Sequence, residues 1–424
     1  MKFLLPILLL CASCQLTLAQ ETVPAEQEFL KLKQEYDGLM EQWWKKSEEL
    51  QDDKEAQQRF FEQSYPAHVM TQPFFQLEEQ YRGTNVGLSC LHQMISAAGA
   101  ISSKDDLANL AARESIELVT EHYLDHPDID LILPWVWNRD WIEIDRFLDR
   151  LVLSSNPKIR GQARFVQAKL RGNDVSGTDI RKSLLNLMGD DAEFADRRKA
   201  LLEFQESKSA INLPQRRQEA LALIDEIKRD YADVPEPRRT PYGPLLIGKP
   251  DPKVDEFLNY PRGTIGTAAA NLRSELVDFG IGRTPPDFAA IDVAGEPRRL
   301  HDYRGKTLLL MFSFKGCGPC EAMYPHLREL IQRYPADSFA ILGIMHDETI
   351  EPVKEAIADG TITWPCIHDG ATGPIISRWN ITSYPGIYVL DREGVIRFIG
   401  PRDKLLDRAI EVMMQPGRPD TTDK

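Results

Sequence analysis

Cysteine is scarce in this chain. Six stand among 424 residues, too few to staple a scaffold of this length. Runs of Lys or Arg are absent and the formal net charge is −14, so nothing marks a nucleic-acid surface. Acidity on this scale bears mainly on solubility. No apolar run is long enough to span a bilayer as a mature helix. Alternating β-branched residues are rare before residue 235, which argues for helices there. The length exceeds one ordinary domain and suggests two or three.

What is present begins with an export signal. Lys2 supplies the positive charge, Phe3 to Leu10 the short apolar core, and Thr17 and Ala19 the small residues before a cut at Gln20. The signal peptide is therefore expected over residues 1–19. A second reading is open in the same segment. Ala12-Ser13-Cys14 has the form of a bacterial lipoprotein site, with Cys11 where Leu is expected; membrane attachment would follow only from a lipid on Cys14. Cleavage near Ala19 leaves Cys90, Cys317, Cys320 and Cys366.

The fold expected is an all-helical N-terminal domain over 20–235 followed by an α/β domain over 284–416. Phe29, Leu32, Tyr36, Leu39 and Trp43 recur at helical steps, predicting one long helix over 25–64. Two readings of it are open: packing on its own domain, or a dimerising coiled coil. Further helical patterns run to Tyr231, broken at His126-Pro127, Asn156-Pro157 and Gly189-Asp190-Asp191. They suggest helix pairs without a fixed period, although Gln215 to Tyr231 resembles half of a tetratricopeptide repeat. A proline-rich linker and a helix are expected over 236–283, and a short tail over 417–424. From Pro286 onward strand and helix signals alternate, as in a sheet flanked by helices.

The most informative residues are Cys317-Gly318-Pro319-Cys320. They lie between the apolar run Leu308–Phe312 and a helical stretch that starts at Glu321. A strand that feeds C-x-x-C into a helix start puts a sulfur where the first backbone N–H groups have no helical partner. That position stabilises a thiolate, the form that attacks disulfides. A structural zinc site would need two more Cys or His at suitable spacing, and Cys366 and His368 fall on another predicted strand. No metal or cofactor is expected.

The segment from about Thr284 to Met414 resembles thioredoxin-fold proteins, most closely the TlpA/ResA group of envelope thiol-disulfide oxidoreductases. The carrying residues are Pro286-Asp287-Phe288, Leu300 to Lys306, the Cys317–Cys320 motif, Pro325 and Ser383-Tyr384-Pro385-Gly386. The whole chain is also similar to planctomycete envelope proteins with a helical region before such a redoxin domain. The resemblance makes Cys317 the more exposed nucleophile and Cys320 the resolving thiol. Gly318 and Pro319 fix the turn, Pro325 kinks the helix, and Tyr384-Pro385 forms a cis-proline loop beside the sulfurs. It departs at two points. Gly316 stands where Trp is usual. The buried acid that serves the resolving thiol is replaced by Met311 or Met323, whichever of the family's two positions is taken; water or another group would have to serve. Lys315 either favours the thiolate or is a solvated surface charge.

Peroxiredoxins carry Pro and Thr or Ser shortly before their reactive cysteine; here Leu310 and Phe314 hold those places. Cys90 and Cys366 read as buried small hydrophobes and His326 as a packing or surface residue. The partners implied are protein disulfide clients and an upstream electron donor, in the periplasm or cell envelope. The rival reading is an interaction protein in which a degenerate thioredoxin fold serves as adaptor for the helical domain.

Overall fold

A computed structural model describes residues 10–50, 53–98, 106–139, 141–238 and 263–415. The expected signal core from Phe3 and the tail over 417–424 lie outside them, as does most of the proline-rich linker. The side chains of residues 10–23, Cys14 included, are also outside the description. Two compact units arise: the described parts of Met1–Leu170 with Asp230–Ile265, and Arg171–Arg229 with Gly266–Lys424.

The first unit is helical: α1 (Leu10–Glu49), α2 (Lys54–Ser64), α3 (Pro66–Gln80), α4 (Asn85–Ala97), α5 (Leu107–His122), α6 (Leu133–Val136), α7 (Ile142–Leu151) and the start of α8 (Pro157–Met188). The single helix expected over 25–64 is two. Asp53 caps α2 by accepting the Ala56 N–H at 2.9 Å, and the Gln57 amide donates back to the Ser47 carbonyl at 3.0 Å. The break lets Trp43 stack on Phe61, with ring centroids 4.7 Å apart, and meet Tyr65 edge-on. Sequence periodicity continued through this corner because both helices present apolar faces to one core. Phe29, Tyr36 and Trp43 are buried there with Tyr65, Met70 and Phe74, so the stripe packs within its own unit. α5 and α8 each run unbroken, and neither holds a proline beyond its first residue, so nothing forces a break.

Buried charge in this unit is paired. Glu78 takes both Arg82 and the Tyr123 hydroxyl. Asp130, fully buried, accepts from Arg238 and Lys158. Burial pushes its carboxyl up, but the two cations more than offset this and hold it below the usual carboxylate range.

The second unit joins the end of α8, α9 (Ala195–Ser207), most of α10 (Leu213–Asp230) and α11 (Ile265–Val277) to a five-stranded sheet. Its strands are β3 (Thr307–Ser313), β4 (Phe339–Met345), β5 (Cys366–His368), β6 (Gly386–Leu390) and β7 (Ile396–Ile399), after a separate hairpin of β1 (Ala289–Ile291) and β2 (Pro297–Arg299). The order is β5-β4-β3-β6-β7. β4 runs parallel to β3 and β5, while β6 is antiparallel to β3 and β7. Every residue of β3 is buried, as expected for a central strand covered on both faces. The remaining helices are α12 (Gly318–Arg333), α13 (Glu351–Ala358), α14 (Pro374–Arg378) and α15 (Lys404–Met414).

The compact units do not divide at residue 235. Leu187, Met188 and Phe194 share one core with Leu405, Leu406 and Ile410, and Ser183 donates to the Arg397 carbonyl at 3.1 Å. The helical segment 171–229 thus completes one side of the α/β fold. Its composition looked like that of the preceding helices, and nothing in periodicity tells a helix which core it joins.

Candidate functional site

β3 ends at Ser313, and Phe314–Gly316 lead the chain into α12. Gly316 has φ +86°, a region that favours glycine. Cys317 is the N-cap of α12, with Pro319 in the first turn, where a missing N–H costs no hydrogen bond. The N–H groups of Cys320 and Glu321 donate to the Cys317 carbonyl at 2.9 and 3.0 Å. No side chain caps this helix start, so its positive end is left facing the cysteine.

Cys317 and Cys320 form a disulfide, with sulfurs 2.06 Å apart. Cys317 is 6% exposed and Cys320 0%, and Gly316, Gly318 and Pro319 around them are exposed. The outer sulfur is therefore the one an incoming disulfide meets. Pro325 lies within α12. Lys315 is neither a free neighbour of the sulfur nor a fully solvated charge. Its Nζ pairs with Glu321 at 2.7 Å, and Glu321 also accepts the Gly316 N–H at 2.9 Å. Lys315 first, and that N–H next, hold the Glu321 carboxyl below its ordinary range.

The Tyr384–Pro385 bond is cis, in agreement with the expectation for this loop. Tyr384 packs against the cluster that holds both cysteines. Its ring stacks on His346 at 5.1 Å and meets Phe314 edge-on at 5.3 Å. Thus the segment before α12, the end of β4 and the cis-proline loop converge at the disulfide. His346 and Phe314 were not singled out as partners of Tyr384, since only the fold brings them together.

Met311 and Met323 are buried in the same cluster as the sulfurs, so the two places expected to lack an acid are filled by apolar side chains. A buried carboxylate lies just beyond β4. Asp347 Oδ1 accepts the Lys315 N–H at 2.9 Å, while its Oδ2 is buried without a partner. Sequence reasoning missed it because the segment gives no motif; the signal was an acid just beyond a buried strand, level with the chain leaving β3.

Cys90 and Cys366 are buried free thiols, and burial pushes both well above the ordinary thiol range. His326 packs α12 against α15 by meeting Asp407 at 3.0 Å. Leu310 lies in the core on one sheet face. Among the described residues no group of three or more His, Cys, Asp or Glu is arranged to hold a metal ion.

Comparison with known proteins bears on the same region. Residues 281–399 match the AhpC/TSA family. Thiol-disulfide oxidoreductase ResA of Geobacillus kaustophilus is 29% identical over 133 residues, 31% of this chain and 76% of that protein. Thioredoxin-like protein YneN of Bacillus subtilis is 34% identical over 121 residues, 28% of this chain and 69% of that one. The chain belongs to the thioredoxin-like family of thiol-disulfide oxidoreductases. A solved thioredoxin domain of a thiol-disulfide oxidoreductase from Bacteroides vulgatus is 26% identical and covers 32% of this chain and 99% of its own, with a TM-score of 0.30. In this thioredoxin-like protein the family match takes in β3, the start of α12 and the disulfide, and the helices before residue 281 lie outside it.

Proposed function

We propose that this chain is an exported enzyme that exchanges disulfides with protein clients. A donor first reduces the pair. The Cys317 thiolate, favoured by the α12 start, then attacks a client disulfide and forms a mixed disulfide. Cys320 attacks Cys317 Sγ, restores the 317–320 bond and releases the client as a dithiol. The observation that carries this reading is the bonded pair at the helix start, with its outer sulfur ringed by exposed residues.

Export rests on the sequence of residues 1–19, and no described helix is long and apolar enough to cross a membrane. We assign the helical unit to holding a client or partner, because its stripe is occupied inside its own core. A homodimer through 25–64 would draw on Leu30 and Trp44, the large apolar side chains exposed there. The adaptor reading loses ground to an intact pair.

Insulin-disulfide reduction by the mature protein, with dithiothreitol as donor, tests the proposal. Wild type should accelerate precipitation of the insulin B chain, and Cys317→Ser should return it to the uncatalysed rate. Equal rates for the two proteins would remove the enzymatic reading.

A further inference from the structure

Two opposite charges bracket the reactive cysteine, and disulfide exchange as described above uses neither. Lys315 stands two residues before Cys317 and Glu321 four after it. Lys315 Nζ meets Glu321 Oε1 at 2.7 Å, and the same oxygen accepts the Gly316 N–H at 2.9 Å. The Glu321 N–H donates to the Cys317 carbonyl at 3.0 Å. The other end of the bracket is anchored as well, because the Lys315 N–H donates to Asp347 Oδ1 at 2.9 Å. Cys317 therefore sits in a short stretch of backbone whose two ends are joined by an ion pair.

Both side chains are partly exposed, 23% for Lys315 and 38% for Glu321. Solvent screens such a pair, and its worth to stability is small. Its effect on the enclosed sulfur is a separate matter. An ammonium beside Cys317 favours the thiolate, and a carboxylate there disfavours it. Lys315 is committed to Glu321, and Lys315 first and the Gly316 N–H next keep that carboxylate ionised. The thiolate favoured by the start of α12 thus gains nothing from the cation two residues away. The restraint has a direction. Stabilising the thiolate stabilises the dithiol, and a stabilised dithiol makes the couple an oxidant.

We propose that Glu321 is a positioning residue that withholds the charge of Lys315 from Cys317 and so keeps the pair poised to reduce its clients. The proposal rests on the disulfide-exchange reading above. In that exchange the dithiol gives two electrons to a client disulfide, the 317–320 bond forms, the client disulfide breaks, and two protons pass to the client thiols. With Lys315 released, the dithiol would hold those electrons more firmly. The other titratable or charged groups around Cys317 are Cys320 and Tyr324 on α12, His346 and Asp347 at and just beyond the end of β4, Tyr384, and Arg402, which donates to the Pro385 carbonyl at 3.4 Å.

Iodoacetamide alkylation of Cys317 in the reduced full chain, followed across pH, reads the effect. Glu321→Gln keeps an oxygen for the Gly316 N–H and frees Lys315, so the Cys317 midpoint should fall by about half a unit. Lys315→Met keeps the apolar stem and leaves the carboxylate uncompensated, so the midpoint should rise by about half a unit. The double variant should return close to the wild-type value, which a merely structural role would not do. In equilibrium with glutathione, one protein disulfide and two glutathiones give one dithiol and one glutathione disulfide. Above the Cys317 midpoint, the constant for that reaction should rise about threefold in Glu321→Gln and fall about threefold in Lys315→Met. Shifts of the same sign in the two single variants, or no resolvable shift in either, would overturn the proposal. Wild type that leaves insulin disulfides intact while the opposite shifts persist would instead defeat the exchange reading.

Discussion

At the scale of single residues the site depends on backbone conformation as much as on sulfur. Gly316 stands where the thioredoxin resemblance led one to expect Trp. Nothing lies within 4 Å of the position a Cβ would take there, so space is not the constraint; φ +86° is. A side chain in that region costs about 1 kcal/mol or more. Gly316→Ala should therefore lower the denaturant midpoint by an amount worth about 1 kcal/mol, while the pair still forms its disulfide. An unchanged midpoint would mean that the backbone relaxes to negative φ at no cost. This residue also shows what a sequence conveys. The pair and its order were legible from Cys317-Gly318-Pro319-Cys320 because strand, turn and helix start are neighbours along the chain. The meeting of Phe314 and His346 with Tyr384 was not, because it exists only across strands.

At the scale of elements, periodicity located helices and strands but not their allegiances. The long helix expected over 25–64 failed at Asp53, whose carboxylate caps a new start; such a residue is equally at home on a solvated helix face, so its capping role needs the fold. The end of α8 is the larger case. Met188 is fully buried in the core it shares with Ile410 and Leu406, although it follows helices that read as one domain. Truncating a buried Met to Ala typically costs 2–5 kcal/mol. Met188→Ala should thus lower stability by about 3 kcal/mol in urea unfolding and weaken the α/β unit, with its near-ultraviolet signal lost earlier than in wild type. An effect under about 0.5 kcal/mol would show that the segment 171–229 is dispensable to that fold.

At the scale of the whole molecule, two units each carry their own electrostatic ties. In the first, Arg238 binds Asp128 and Asp130 at 2.8 Å and 2.5 Å, tying the chain that returns after α10 to the unit begun by α1. Asp130 is held below the ordinary carboxylate range even though burial alone would raise it. A folded value lowered in this way adds stability above the unfolded value of about 3.9, and that stability is lost as pH falls through the lower folded value. Arg238→Ala should cost about 2 kcal/mol at neutral pH by leaving the buried Asp130 with Lys158 as its one remaining cation, and should flatten the loss of stability toward acid. Unchanged acid unfolding would show that Asp130 draws nothing from Arg238. The sequence displayed these charges without revealing the pairing, since more than a hundred residues separate the partners.

The central claim is that the start of α12 holds Cys317 as a thiolate. Iodoacetamide alkylation of the reduced full chain, followed by peptide mapping at a series of pH values, tests it directly. The account predicts that Cys317 is modified first, with a midpoint well below the ordinary thiol value of about 8.5, while Cys320, Cys90 and Cys366 are spared in the folded protein. Modification of Cys317 only above that value, or equal modification of Cys317 and Cys320, would contradict it.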